Sequence, residues 1–469
     1  MKRSPALRTA AALIAPILWP PLALVVALLL TACGGGTGDA GTPPAGKPPT
    51  ITAFNAAAAK HFVGDRAQLT AVFEGGSGRI VSDSGAAIGP VTSGTPVATA
   101  PLAASTRFTL IVERGGQSTR RELALEVGYR DRYVTLSERR VLQYHAAVAA
   151  GDGAVLVIGG SRGENTLSTA IDRFDPALRS FTRVGSLRTG RAGHTATRLP
   201  DGRILVLGGV TSLQIGNVAD LVDERTGAVS HGGRLVRPRD RHAAVALADG
   251  RVLVVGGFND NTAEVWDPAT NTFRLVGNML HTREWPTATL LADGRVLVAG
   301  GHSEALSYAF AELFDPRTER FTALAAPAAP AFAARRQFHT AHRLADGRVL
   351  ILGGEHEDPL QDRLLPLASV VQFDPSTATL SQRGDLEAPR SVAAAVQLGD
   401  DVALFGGLTP MQAPAASAVL YRSGAPRELA AMPVARHFHT ATRMGDGRIL
   451  ILGGDDVGQE PVTPVVIYE

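Results

Sequence analysis

The sequence predicts an all-β protein, a seven-bladed β-propeller preceded by a small β-sandwich, and three observations lead there. Paired glycines return seven times, at steps of 49, 48, 44, 53, 53 and 47 residues. Within each unit short apolar runs are separated by Asp-Gly and Asp-Pro turn signals. Upstream, residues 50–128 alternate apolar and polar positions with a period of two. With 45% apolar but only 5% aromatic residues in 469, the chain suits many small layers rather than one large core.

Taken in chain order, residues 1–32 are set aside first. Lys2, Arg3 and Arg8 precede an apolar run ending LVVALLLTACGGG, the layout of a secretion signal cleaved just before Cys33. Trp19, Pro20 and Pro21 interrupt that run and argue against a membrane-spanning helix. Leu30, Thr31, Ala32 and Cys33 resemble the lipobox of bacterial lipoproteins. The resemblance implies that the Cys33 thiol accepts a diacylglycerol and holds the protein on a membrane, each buried methylene contributing about 0.8 kcal/mol. Gly34 stands where enteric bacteria place the Asp that retains lipoproteins at the inner membrane, so the outer membrane is expected. Cys33 is the only cysteine, which fits an exported chain built without disulfides. Residues 33–49, rich in Gly and Pro, read as a tether.

Removing the signal leaves 43 basic against 44 acidic residues, a balance that gives no electrostatic case for nucleic acid. A monomer is expected.

In residues 50–128, AQLTAVF, RFTLIVE and LALEV place alternate apolar groups on one face, and GGSG, SGTP and RGGQ mark turns between them. Through FVGDRAQLTAVFEGGSG and STRFTLIVERGG the segment resembles bacterial Ig-like surface domains, which implies a spacer.

Residues 132–469 carry the repeats. The glycine pairs are Gly159 and Gly160, Gly208 and Gly209, Gly256 and Gly257, Gly300 and Gly301, Gly353 and Gly354, Gly406 and Gly407, and Gly453 and Gly454. Seven residues before the pairs stand Asp152, Asp201, Asp249, Asp293, Asp346 and Asp446, each followed by Gly; the sixth unit has Gly399 and Asp400 instead. Downstream, RFDPALRSF, VWDPATNTF, LFDPRTERF and QFDPSTATL each give a strand, an Asp-Pro turn and another strand. Every unit therefore reads as four antiparallel strands, a propeller blade. The phrase H-T-A, D-G-R-x-L-x-x-G-G resembles kelch repeats of the bacterial type found in the central domain of galactose oxidase; no unit shows the Gly-His and Trp-Asp signature of WD repeats. The seventh unit stops at VVIYE without a fourth strand, so residues 133–136 are expected to pair with it and close the ring. The glycine pairs read as structural, letting backbones approach and bend.

The candidate chemistry sits at repeat positions. His145, His194, His242, His339 and His439 occupy one slot, with Pro286 and Val392 in the other two units; because that slot tolerates both, a hydrogen-bonding role is expected rather than a metal. Three residues earlier stand Arg191, Arg239, Arg283, Arg336 and Arg436, with Arg390 and Arg140 nearby in the remaining units. Six of these, Arg191, Arg239, Arg283, Arg336, Arg390 and Arg436, are expected to form a basic rim around one mouth of the channel, suited to an anionic glycan or a protein partner. The variable loops after the glycines share that mouth, and Glu304, Glu355 and the run EHED at 355–358 are acidic groups within them. Galactose oxidase itself uses copper with tyrosine and histidine ligands, a tyrosine crosslinked to cysteine, and a further domain after the propeller. Here the one cysteine is assigned to lipid and the sequence stops with the repeats, so copper-radical oxidation is not expected, nor any other cofactor. A binding module of the cell envelope is the leading functional reading, with a sugar epimerase or a purely structural protein as alternatives.

Overall fold

The computed structural model describes residues 47–163, 166–212, 214–302, 311–325, 336–358, 363–422, 424–456, 458 and 460–469. Residues 1–32, expected to be a secretion signal, Cys33, most of the expected tether and Glu304 lie outside them. Pro48–Glu469 form one compact unit. No helix among the described residues is long and apolar enough to cross a membrane.

The first part is two antiparallel sheets over one core. Thr50–Ala56, Gln68–Glu74 and Val97–Ala98 make one sheet; Ala87–Val91, Ser77–Ser82, Thr106–Arg114 and Gln117–Leu125 make the other. In Gln68–Glu74 the alternation buries Leu69, Ala71 and Phe73, and they meet Ile80, Phe108 and Leu110 of the facing sheet.

Seven four-stranded antiparallel sheets follow. Their inner strands are Ala146–Ala149, Thr195–Arg198, Ala243–Ala246, Thr287–Leu290, Thr340–Arg343, Ala394–Leu398 and Thr440–Arg443, one each for blades 1 to 7. Neighbouring inner strands touch all the way round, blade 7 against blade 1 included, so the ring is closed. In blades 1 to 6 the fourth strand follows the third in sequence; in blade 7 it is Tyr133–Arg139, which pairs with Pro464–Tyr468 through Tyr133 to Tyr468, Val134 to Ile467 and Thr135 to Val466. Tyr468 donates its hydroxyl to Asp131 at 2.9 Å, and Arg132 holds Glu469 at 2.6 Å. The sheet edge that an open ring would expose is thereby covered.

No blade has a core of its own. Leu205, Leu207 and Leu221 of blade 2 pack against Val252, Val254 and Trp266 of blade 3, and the same sharing repeats around the ring. The second strands, such as Val252–Val255, are buried throughout because a blade covers each face. Trp266, fully buried, donates its indole N–H to the Gly232 carbonyl at 2.8 Å.

Antiparallel order sends the Asp-Gly and Asp-Pro turns to one face and the glycine pairs to the other. On the turn face each Arg after Asp-Gly binds its own Asp, and some reach the next blade: Arg251 bonds Glu319 at 3.0 Å and Arg295 bonds the Pro375 carbonyl at 3.3 Å. The sandwich docks on this face at blade 7. Tyr129 donates to the Gly447 carbonyl at 2.7 Å, and Arg443 to the Ala103 carbonyl at 2.7 Å.

Candidate functional site

The six arginines expected on the rim are inside the blades. Arg191, Arg239, Arg283, Arg336, Arg390 and Arg436 are all buried, at most 3% exposed. Each guanidinium donates to the carbonyl of the first glycine of its own blade's pair, as Arg239 does to Gly256 at 2.8 Å. Arg239 then bonds Thr262 and ion-pairs with Glu264, both side chains fully buried; Arg191 meets Asp220 and Arg283 meets Glu312 likewise. The correction has a plain cause. Where the second strand bends out at the glycines its carbonyls lose their ladder partners, and a fork of five donors satisfies them. In blade 1 the slot holds Leu142, while Arg140 lies outside it, bonded to Glu138 and Asp172.

The histidines join blades. Each packs against the first glycine of the preceding blade: a Cβ on Gly208 would lie 2.7 Å from the His242 ring and 2.4 Å from the Arg239 carbonyl, and Gly159, Gly300, Gly406 and Gly453 are crowded in the same way by His194, His339, His439 and His145. Those glycines also hold positive φ, 64° at Gly208. Nε2 of His145, His242 and His339 shares a hydrogen bond of 2.8 to 2.9 Å with Thr440, Thr195 and Thr287, the residue that opens the preceding inner strand. Before His194 and His439 those strands open with Ala146 and Ala394, so this hydroxyl is missing. The sixth blade's slot holds Ala393, not Val392, as its packing against Gly407 shows, and Thr340 before it is accordingly left without a partner. Burial holds these imidazoles far below the usual histidine range, at about 4 for His145 and about 3 for His194, His242 and His339.

What faces the channel mouth is the residue immediately before the histidine slot. Tyr144, Gly193, Arg241, Trp285, Phe338, Val392 and Phe438 occupy equivalent places in blades 1 to 7, and all seven have left-handed backbone, with φ from 50° to 65°. Backbone bonds run from blade to blade here: Gly193 N–H to Tyr144 O at 2.9 Å, Trp285 N–H to Arg241 O at 2.8 Å, Val392 N–H to Phe338 O at 3.2 Å. Glycine fits this conformation, and blade 2 uses one. The bulky residues elsewhere cost about 1 to 3 kcal/mol each.

Tyr144, Arg241, Trp285, Phe338, Val392 and Phe438 ring a cavity of about 770 Å³. Trp285 and Phe338 have ring centroids 4.5 Å apart, Tyr144 and Phe438 5.2 Å, and Phe338 meets Phe438 edge-on at 5.7 Å. The Arg241 guanidinium lies 4.5 Å from the Trp285 ring centre and 5.1 Å from that of exposed Phe258. It bonds Glu284 at 2.8 Å and lies 3.5 Å from Asp240. A side cavity of about 710 Å³ shares Arg241 and Trp285 and extends to Glu284, His302, Glu357 and Arg363. Asp455 accepts from Gln143 beside Tyr144, and burial pushes its carboxyl up. Glu355 is 2% exposed, its carboxylate accepting from Ser391 and Gln337, and burial pushes its pKa up as well. EHED itself is a strand, Glu355–Asp358, paired with Arg363–Pro366.

Sequence reading missed the aromatic ring, although its signal was present: QYH, EWP, QFH and HFH all place a large ring one residue before the histidine slot.

Among the described residues no group of three or more His, Cys, Asp or Glu side chains could hold a metal. The five repeat histidines lining the mouth are engaged in inter-blade contacts, so they do not fit a copper centre.

The Kelch motif family model matches residues 144–188 and 241–280. No curated protein matches the sequence. Among solved structures, a fungal alcohol oxidase of the AA5 family, in complex with copper, is similar over 72% of this chain and 75% of its own, at 16% identity and a TM-score of 0.58. At that identity the likeness speaks for fold alone. The repeat matches, the shared architecture and the closed ring of seven sheets together show a kelch-type β-propeller.

Proposed function

We propose that the protein is a lipid-anchored module of the bacterial cell envelope that binds a sugar residue of a glycan at the aromatic mouth of its propeller. One observation carries this reading: bulky residues, four of them aromatic, are kept at positions whose left-handed backbone favours glycine, around an open cavity. Aromatic faces flanked by carboxylates and an arginine suit a sugar, whose C–H face stacks while its hydroxyls bond the rim. Because the six repeat arginines are engaged inside the blades, the ligand is read by ring faces and not by a basic rim. The sandwich docks on the opposite, turn face.

The test is a glycan array probed with the full-length protein in detergent, beside the variants Trp285→Ala and Phe438→Ala. Removing a central aromatic contact is expected to weaken binding about 30-fold or more. Binding undiminished in both variants, with their thermal unfolding unchanged, would remove the mouth as the site. The anchor is tested separately: Cys33→Ser is expected to abolish incorporation of labelled fatty acid and to release the protein from membranes.

A further inference from the structure

The cavity wall holds one charged group that the fold leaves incompletely served. Asp240 lines the cavity and is 7% exposed, yet its Oδ1 has no hydrogen-bond partner in the protein. Its other oxygen lies a long 3.5 Å from the Arg241 Nε, while the same guanidinium makes its short bond, 2.8 Å, to Glu284. A carboxylate buried to this extent normally collects donors from backbone or side chains. Asp240 shares the lining of the cavity with the imidazole of His242 and the rings of Trp285 and Phe338.

Arg241, the cation beside Asp240 in that lining, is already engaged by Glu284 of the side cavity and by the faces of Trp285 and Phe258. Aromatic faces attract cations through their quadrupole, and the position of Arg241 shows that the Trp285 face already serves one.

From these observations, and resting on the sugar-binding reading above, we infer that the mouth selects an amino sugar, its protonated amine against Asp240 and its apolar face on the Trp285 and Phe338 rings. The amine supplies the donors that Asp240 lacks and a positive charge opposite its carboxylate. A hydroxyl at the same place supplies only the first.

The test compares two probes with the same ring and opposite charge status, the hexamer of glucosamine and the hexamer of N-acetylglucosamine. Both are titrated calorimetrically into the full-length protein in detergent at pH 7. The glucosamine hexamer is expected to bind at least tenfold more tightly, the worth of one charge-assisted hydrogen bond. In Asp240→Asn, which keeps the shape of the side chain and alters no strong internal contact, that preference is expected to fall below threefold. Equal affinities in the wild type, or a preference that survives in Asp240→Asn, would overturn the amino-sugar assignment and leave the aromatic mouth as a site for neutral sugars. Absence of binding by both hexamers, joined to a blank glycan array, would overturn both.

Discussion

Acidification from pH 7.5 to pH 5.5 is expected to bring the propeller close to unfolding. Five histidines, His145, His194, His242, His339 and His439, are clamped between blades, each at most 7% exposed. Burial is the first cause of their depressed pKa values, about 4 for His145, about 3 for His194, His242 and His339, and well below the usual value for His439; the cations Arg191 and Arg239 depress their neighbours His194 and His242 further. In the unfolded chain each returns to about 6.5, so below that pH the unfolded state binds protons that the folded state refuses. Stability is therefore complete above about pH 6.5 and declines as pH falls toward the folded values. At pH 5.5 the loss is on the order of 1 kcal/mol for each histidine and several kcal/mol for the five together, comparable with the whole stability of a typical domain. Asp240, Glu355 and Asp455, whose carboxyls are raised by burial, act in the opposite sense and gain relative stability only as pH falls through their own folded values. The assay is urea unfolding at half-unit pH steps, followed by the fluorescence of Trp266, whose buried ring reports on blade 3. His194→Gln is expected to reduce the pH dependence by about a fifth. An unfolding free energy that stays level between pH 7.5 and 5.5 would refute the reasoning, because it would mean that the five imidazoles are hydrated and free to charge.

Arg239→Ala leaves Glu264 charged and buried and strips the Gly256 and Thr262 carbonyls of their donor, so a loss of about 3 to 5 kcal/mol is expected in urea unfolding. The double change Arg239→Met, Glu264→Gln keeps an acceptor for the Val236 and Arg237 N–H groups and is expected to recover at least about 1 kcal/mol of that loss. Thr195→Val removes the partner of His242 and should cost about 1 to 3 kcal/mol, whereas Ala394→Thr offers His439 the hydroxyl it lacks and should add about 1 kcal/mol; both are read from denaturant midpoints, and a loss at Ala394→Thr would contradict the inter-blade pairing. Gly208→Ala places a methyl 2.4 Å from the Arg239 carbonyl and should lower the thermal midpoint sharply, while Gly250→Ala, at φ 87° but with nothing within 4 Å, should cost about 1 to 2 kcal/mol; equal effects would deny the crowding.

Blade number, strand order and turn positions could be read from the residues because they are local and repeated. An Asp-Gly pair bends the chain wherever it falls, an apolar run of four residues becomes a buried strand whichever blade holds it, and seven copies of one register average out the errors of any single unit. The side chains between those turns were a different matter. The arginine three residues before the histidine slot looked like a rim of charge, since an isolated loop leaves such a group in water. Its fate depends on carbonyls freed seventeen residues later, at Gly208 for Arg191 or Gly256 for Arg239, which come within reach only when the second strand bends beside it. Pairing between His242 and Thr195 crosses from one blade to another, so no single repeat contains it. The mouth belongs to the same class. Tyr144, Trp285, Phe338 and Phe438 are far apart in the chain and become one aromatic wall because ring closure turns a linear period into a circle. Local rules act within a few residues, whereas burial, charge pairing and concavity arise from the wheel that those residues close.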